Sequence, residues 1–274
     1  MSKPASNPTG PQRVAVVIPA HNDRDTIAPT VRACRAIPSV DLIVVVDDGS
    51  EDDTGHVARG AGAVVVRHSV PRGRGSALET GAKVVSMRDR EDWPARHMLF
   101  MDPDLGDSAV EATALVDAVN DGVADLAVGV SPGMERSLVA RGAEKAASRA
   151  IKQMTGWTVT QPFATARCLT REAVDAISPF GGGKAVDMAS TIDLLSDGFT
   201  VVEVPCDFER LERSSRLVSA KHAPKRCDVW LATQGLRLRS RKLPKARQVP
   251  ETEQGVGVPY PVAAREKRAS KSEG

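Results

Sequence analysis

Val44-Val45-Val46-Asp47-Asp48-Gly49-Ser50-Glu51-Asp52-Asp53-Thr54 is the stretch that decides how this chain is read. Three β-branched residues end on two carboxylates, the chain turns at Gly49, and polar helix-starting residues follow. Ser50 and Asp53 have the spacing of a capping box. An apolar strand that stops at acidic residues and passes into a helix is how a parallel sheet presents ligand-binding loops at the carboxyl ends of its strands. Two further junctions repeat the design. Residues 13–18 lead into Pro19-Ala20-His21-Asn22-Asp23, and residues 98–101 lead into Asp102-Pro103-Asp104. Three polar loops at equivalent strand ends converge on one site.

Working outward, short apolar runs at 13–18, 42–46, 63–67, 98–101 and 126–130 read as strands covered on both faces. Helical patterns at 26–36, 53–60, 76–88 and 108–120 lie between them. This alternation predicts an α/β fold, a mostly parallel sheet with helices on both faces and right-handed crossovers. The later chain is less regular, with strands at 166–170 and 200–205 and helices at 144–155 and 188–195. Residues 1–12, rich in Pro and Ser, read as a disordered segment, 13–220 as the catalytic-type domain, 221–243 as a basic amphipathic helix, and 244–274 as a disordered basic tail.

With 274 residues and a net charge of +2, the chain is no general polyanion binder, and nucleic acid is not an expected partner. Cys34, Cys168, Cys206 and Cys227 form no C-x-x-C pair and read as reduced thiols of a cytoplasmic protein. The first residues carry no apolar signal-peptide run, and no segment offers the ~20 apolar residues a membrane span requires. Arg226, Trp230, Leu231, Arg237, Arg239 and Arg241 could give the 221–243 helix weak peripheral contact with an anionic membrane. A helix packing Trp230 on the core explains the same residues. Pairing into a homodimer is compatible with the chain.

Each loop has a chemical reading beside a plain structural one. Asp47 at a strand end can accept hydrogen bonds from a nucleobase or ribose, or can simply make a turn. In Asp102-Pro103-Asp104, Pro103 restrains Asp102 toward extended backbone. Two close carboxylates repel unless a cation sits beside them, and Mg2+ or Mn2+ meets that demand with oxygen ligands while neutralising a diphosphate. In Arg72-Gly73-Arg74-Gly75-Ser76 the glycines admit an anion to the backbone and Arg74 can grip phosphate oxygens; a basic surface turn is the alternative. Asp187, after the Gly181-Gly182-Gly183 run, could meet sugar hydroxyls, act as a base, or merely cap a helix.

These motifs resemble the family-two glycosyltransferases of the GT-A, Rossmann-like fold. The matching residues are V-V-I-P-A-H-N-D at 16–23, V-V-V-D-D-G-S at 44–50, G-R-G at 73–75 and D-P-D-L at 102–105. Q-P-F at 161–163, V-D-M-A-S-T-I-D at 186–193 and V-V-E-V-P at 201–205 extend the similarity toward the glucosyl-3-phosphoglycerate synthases and their actinobacterial relatives. The resemblance implies a nucleoside diphosphate sugar donor, a divalent metal and an acceptor it does not identify. It places Pro19 and Asp23 beside the nucleotide and Asp47 at the base. Ser50, Gly73 and Arg74 hold the nucleotide, Asp102 serves the ribose, Asp104 the metal, and Asp187 the donor sugar.

The chain departs from the pattern at several points. Asp23 and Asp187 stand where the family has Glu, Arg74 where it often has Lys, and Ala164-Thr165-Ala166 where a Ser-Gly turn is usual. The metal-binding His near the last strand is absent. Glu209-Arg210-Leu211-Glu212-Arg213 occupies that region, and Glu212 could supply an oxygen ligand instead. The expected activity is metal-dependent transfer of a glycosyl group, from a UDP-sugar or similar donor, to an acceptor hydroxyl. A catalytically silent nucleotide-sugar-binding protein is the second reading, and a nucleotidyltransferase the third.

Overall fold

The computed structural model describes residues 10–131, 138–180, 186–211 and 248–261. Seven strands form one sheet: β1 (Val14–Ala20), β2 (Val40–Asp47), β3 (Val64–Arg67), β4 (His97–Phe100), β5 (Leu126–Val130), β6 (Arg167–Leu169) and β7 (Val201–Pro205). Their order is β3-β2-β1-β4-β6-β5-β7. All neighbours run parallel except β6, which lies antiparallel between β4 and β5. The chain builds β2 and β3 on one side of β1 and β4 on the other. The strand order therefore reverses at β1, and a crevice opens at the carboxyl ends of the strands beside it.

Apolar runs rather than alternating ones form these strands because both faces are covered. In β1, Ala15 and Val17 point to one core while Val14, Val16 and Ile18 point to the other, and all are fully buried. The first core is closed by α3 (Arg74–Ser86), α5 (Leu138–Thr155), α6 (Arg171–Ala176) and α7 (Val186–Ser196), through Leu78, Ile151, Val174 and Ile192. The second is closed by α1 (Ile27–Arg35), α2 (Thr54–Gly60) and α4 (Thr113–Asn120), through Ile27, Val31, Ala58 and Val116.

Four local expectations change. The helix read at 108–120 begins as a 3-10 segment, Gly106–Ala112, and becomes α-helical only at Thr113. The capping box at α2 does not form, because Ser50 turns to the β1 loop and Asp53, at the N-cap, makes no side-chain cap bond. Helix α6 is too short and too charged for its periodicity to show. Finally, residues 248–261, read as part of a disordered tail, pack on the sheet. Tyr260 pairs with Val201 through two backbone hydrogen bonds of 2.7 Å, stacks on Trp157 and donates its hydroxyl to the Thr155 carbonyl at 2.7 Å. One buried aromatic with its polar end satisfied anchors a polar segment that carries no periodic apolar pattern. The glycine run at 181–183, Glu212 and the basic 221–243 segment lie outside the described residues. Among the described residues, no helix is long and apolar enough to cross a membrane.

Candidate active site

The three loops seen in the sequence meet at the strand ends, tied by their own polar groups. After β1, the Asp23 carboxylate accepts the His21 amide at 2.8 Å, and the Asp23 amide donates to the Thr54 hydroxyl at 2.8 Å. Asn22 sits at φ 56, a conformation its short amide tolerates, and its side-chain oxygen accepts the Glu51 amide at 2.8 Å. The Asn22 amide donates to the Ser50 hydroxyl at 3.0 Å. After β2, the Asp47 carboxylate accepts the Ser50 amide at 2.9 Å. Gly49, at φ +69, is held so close to Pro71 that a Cβ would lie 2.7 Å from the Pro71 nitrogen. Pro19 and Asp47 are buried at adjacent strand ends, and Asp23 and Ser50 are buried beneath the loops.

Asp48, next to Asp47, ties the end of β2 to the turn that opens α3. Its carboxylate accepts the Arg72 and Gly73 amides, both at 2.8 Å, and lies 2.7 Å from His68 Nδ1. His68 Nε2 reaches the Thr80 hydroxyl at 2.9 Å. Gly73 adopts φ +88, which no side chain would favour, and the chain enters α3 at Arg74. Burial pushes the Asp48 carboxyl up, but the Arg72 amide, His68 and the Gly73 amide outweigh it and hold its pKa below the usual value. The same holds for Asp102, where Arg74, Arg210 and Thr165 overcome burial.

These shifts set the acid response. A carboxylate whose folded pKa lies below its unfolded value stabilises the fold above the unfolded pKa. That contribution is lost as pH falls through the folded pKa. Stability should therefore decline below about pH 4. Asp48→Asn should lower the denaturation midpoint near neutral pH and make its further fall on acidification shallower than in the parent. Denaturant titrations across that range measure both, and an acid limb of unchanged steepness would reject Asp48 as a contributor.

Arg74 joins this scaffold to the second half of the site. Its Nη1 donates to Asp102 at 2.9 Å, its Nε to Asp187 at 2.9 Å, and its Nη2 to the Thr165 carbonyl at 3.0 Å. Asp102 also accepts the Thr165 hydroxyl at 2.5 Å. Arg210 spans the acidic pair, Nη2 to Asp102 at 2.5 Å and Nη1 to Asp104 at 2.7 Å. Behind Asp187, buried Arg167 donates to the Asp187 carbonyl at 2.5 Å, to Thr191 at 2.7 Å and to the Ala164 carbonyl at 2.7 Å. Three carboxylates (Asp102, Asp104, Asp187) thus face three guanidiniums (Arg74, Arg167, Arg210), and the cluster is close to neutral.

The cluster borders a cleft with about 610 Å³ of space including its open mouth, lined by Leu105, Ser131, Gln161 and Phe163 among others. Gln161 clamps Ser131 through both amide atoms, and buried Glu203 accepts the Thr160 and Gln161 amides at 2.8 and 3.0 Å. The structure brings Gly73, Arg74, Asp102, Asp104 and Asp187 to one end of the crevice. Pro19, Asp23, Asp47 and Ser50 lie buried at and beneath the neighbouring ends of β1 and β2. Arg167, Thr165 and Arg210 were missed as site residues; the only sequence signal was polar character beside the Q-P-F and E-R-L motifs.

Asp102 and Asp104 are hard oxygen donors of the kind Mg2+ and Mn2+ take, and both already converge on one positive charge, that of Arg210. Magnesium-type sites commonly use one or two carboxylates and leave the other positions to phosphates and water. The donor pair fits such an ion. Among the described residues no third His, Cys, Asp or Glu joins it.

Comparison with known proteins agrees with this fold. The glycosyl transferase family 2 model matches residues 15–181, more than half of the chain. The chain belongs to glycosyl transferase family 2. It is 31% identical over 220 residues to polyprenol monophosphomannose synthase of Mycolicibacterium smegmatis, covering 73% of this chain and 79% of the relative. It is 25% identical over 206 residues to an undecaprenyl-phosphate 4-deoxy-4-formamido-L-arabinose transferase of Klebsiella pneumoniae, covering 71% and 59%. Among solved structures, glucosyl-3-phosphoglycerate synthase of Mycobacterium tuberculosis, in complex with Mn2+, UDP and glucosyl-3-phosphoglycerate, superposes with a TM-score of 0.63 at 26% identity, covering 82% and 80% of the two chains. The GT-A fold and the resemblance to these synthases, both read from the sequence, are thereby shown.

Proposed function

We propose that this family 2 glycosyltransferase moves a glycosyl group from a nucleoside diphosphate sugar, with a UDP-sugar the first choice, to an acceptor hydroxyl. The observation that carries the reading is the convergence of Arg74, Asp102, Asp104 and Asp187 beside an open cleft. The Mycobacterium tuberculosis synthase, similar to this chain in fold, binds UDP with Mn2+. Here Asp102 and Asp104 would hold Mg2+ or Mn2+, with Glu212 available as a further oxygen donor. The ion, when bound, supplies positive charge to the departing diphosphate. Arg74, in the first turn of α3, would meet phosphate oxygens. Pro19, Asp23, Asp47, Ser50 and Gly73 shape the wall for base and ribose. Asp187, held from behind by Arg167, would orient a sugar hydroxyl.

Calorimetric titration of UDP with and without Mn2+ tests the metal assignment. Binding should tighten with Mn2+ in the parent, and Asp104→Ala should remove that tightening while metal-free binding changes little. Equal metal dependence in both proteins would sink it. Donor hydrolysis with Mn2+ separates an enzyme from a silent binder. The silent-binder reading keeps one observation in its favour, the occupation of the acidic pair by Arg210. The nucleotidyltransferase reading is not carried forward, because the family is a glycosyltransferase one.

A further inference from the structure

Arg210 makes a contact that the proposed reaction does not use. Its guanidinium bridges Asp102 and Asp104 at 2.5 and 2.7 Å, where the proposed metal would have to bind. The arginine comes from the strap that follows β7. Phe208 anchors this strap in the core, the Glu209 backbone exchanges hydrogen bonds with the Ser108 hydroxyl at 2.9 and 3.1 Å, and the Leu211 amide donates to the Asp104 carbonyl at 2.8 Å. The strap is thus tied on both sides of Arg210, which holds the guanidinium over the pair. The side chain is nonetheless 43% exposed, unlike Asp102 and Asp104 at 10% and 12%, so it has an open path away from them. A guanidinium keeps its charge throughout the physiological range.

We infer that Arg210 is a latch that neutralises the acidic pair and competes with a divalent cation for it. The inference rests on the metal reading above. Two like carboxylates this close require a counter-charge, and a guanidinium and a hard cation cannot both lie between the same oxygens. Cation binding must therefore expel the guanidinium, and the protein binds the cation less tightly than its carboxylates alone would. By the same linkage, cation binding frees Arg210 to meet anionic groups of a ligand in the cleft.

The test uses the full chain and Mn2+ alone, without nucleotide. Electron paramagnetic resonance titration should show Mn2+ binding roughly tenfold or more tighter in Arg210→Met than in the parent, the size expected from losing charge-assisted competing bonds. Phenylglyoxal modification of Arg210 in the parent, followed by mass spectrometry, should accelerate when Mn2+ is saturating. Asp104→Asn in the Arg210→Met background should reverse the tightening. Equal or weaker Mn2+ binding in Arg210→Met would overturn the latch while leaving the metal site intact. Tightening without any change in Arg210 reactivity would mean a long-range charge effect, and would also overturn it. No Mn2+ binding in either protein would overturn the metal reading and the latch with it.

Discussion

Asp102→Asn should destabilise the fold by about 3 kcal/mol or more and depress glycosyl transfer by roughly 10²–10³-fold. The substitution preserves shape, so the loss is one of charge. Asp102 is the one carboxylate shared by Arg74, Arg210 and the Thr165 hydroxyl. Breaking a buried pair from one side costs far more than the pair contributes, because the surviving charge stays out of water without a partner. Arg74 still has Asp187, which caps the penalty, but Thr165 and one prong of Arg210 lose their acceptor. For a chain of this size the midpoint temperature should fall by roughly 6–12 °C. Calorimetry on the metal-free protein reads the stability term apart from any metal effect. A fall of less than about 1 kcal/mol would show that the cluster is held by packing instead.

Arg167→Met should cost a comparable amount, about 3–5 kcal/mol, from a residue that does not line the open cleft. The methionine keeps the buried stem and loses the guanidinium. Arg167 is 3% exposed and serves the Ala164 and Asp187 carbonyls and the Thr191 hydroxyl together. It lies 3.7 Å from the Asp187 carboxylate, so it also sets where Asp187 presents its oxygens to Arg74. Burial lowers the Arg167 pKa, nearby Asp187 opposes this, Arg74 adds to it, and Glu203 opposes it again. Two readouts should therefore move together: the denaturant midpoint, and the thermal stabilisation given by saturating UDP-sugar. Lost stability with undiminished stabilisation by the ligand would make Arg167 a packing residue only.

Much of the architecture was legible because its causes are local. All seven strands were visible as short apolar runs, since burial on both faces demands that composition whatever the neighbours are. The loops that end β1, β2 and β4 were visible because a strand stopping at carboxylates, with Gly49 or Pro103 beside it, has few other uses. Helix α6 and the 3-10 start at Gly106–Ala112 escaped because short elements leave no periodic signal. Tyr260 escaped because a single aromatic in a polar segment says nothing of where it will be buried.

The sequence by itself determined an α/β chain whose acidic strand ends gather at one edge of a parallel sheet, and the residue types available there. Only the tertiary structure decided how those charges pair. Asp48 rather than Asp47 seats the Gly73–Arg74 turn, Arg74 reaches Asp187 across 113 positions, and Arg210 reaches Asp102 across 108. Spacing along the chain carries no information at such separations. The pairings follow from the strand order, which sets β4 between β1 and the antiparallel β6, and so brings the D-P-D loop, α3, α7 and the strap after β7 around the same few carboxylate oxygens.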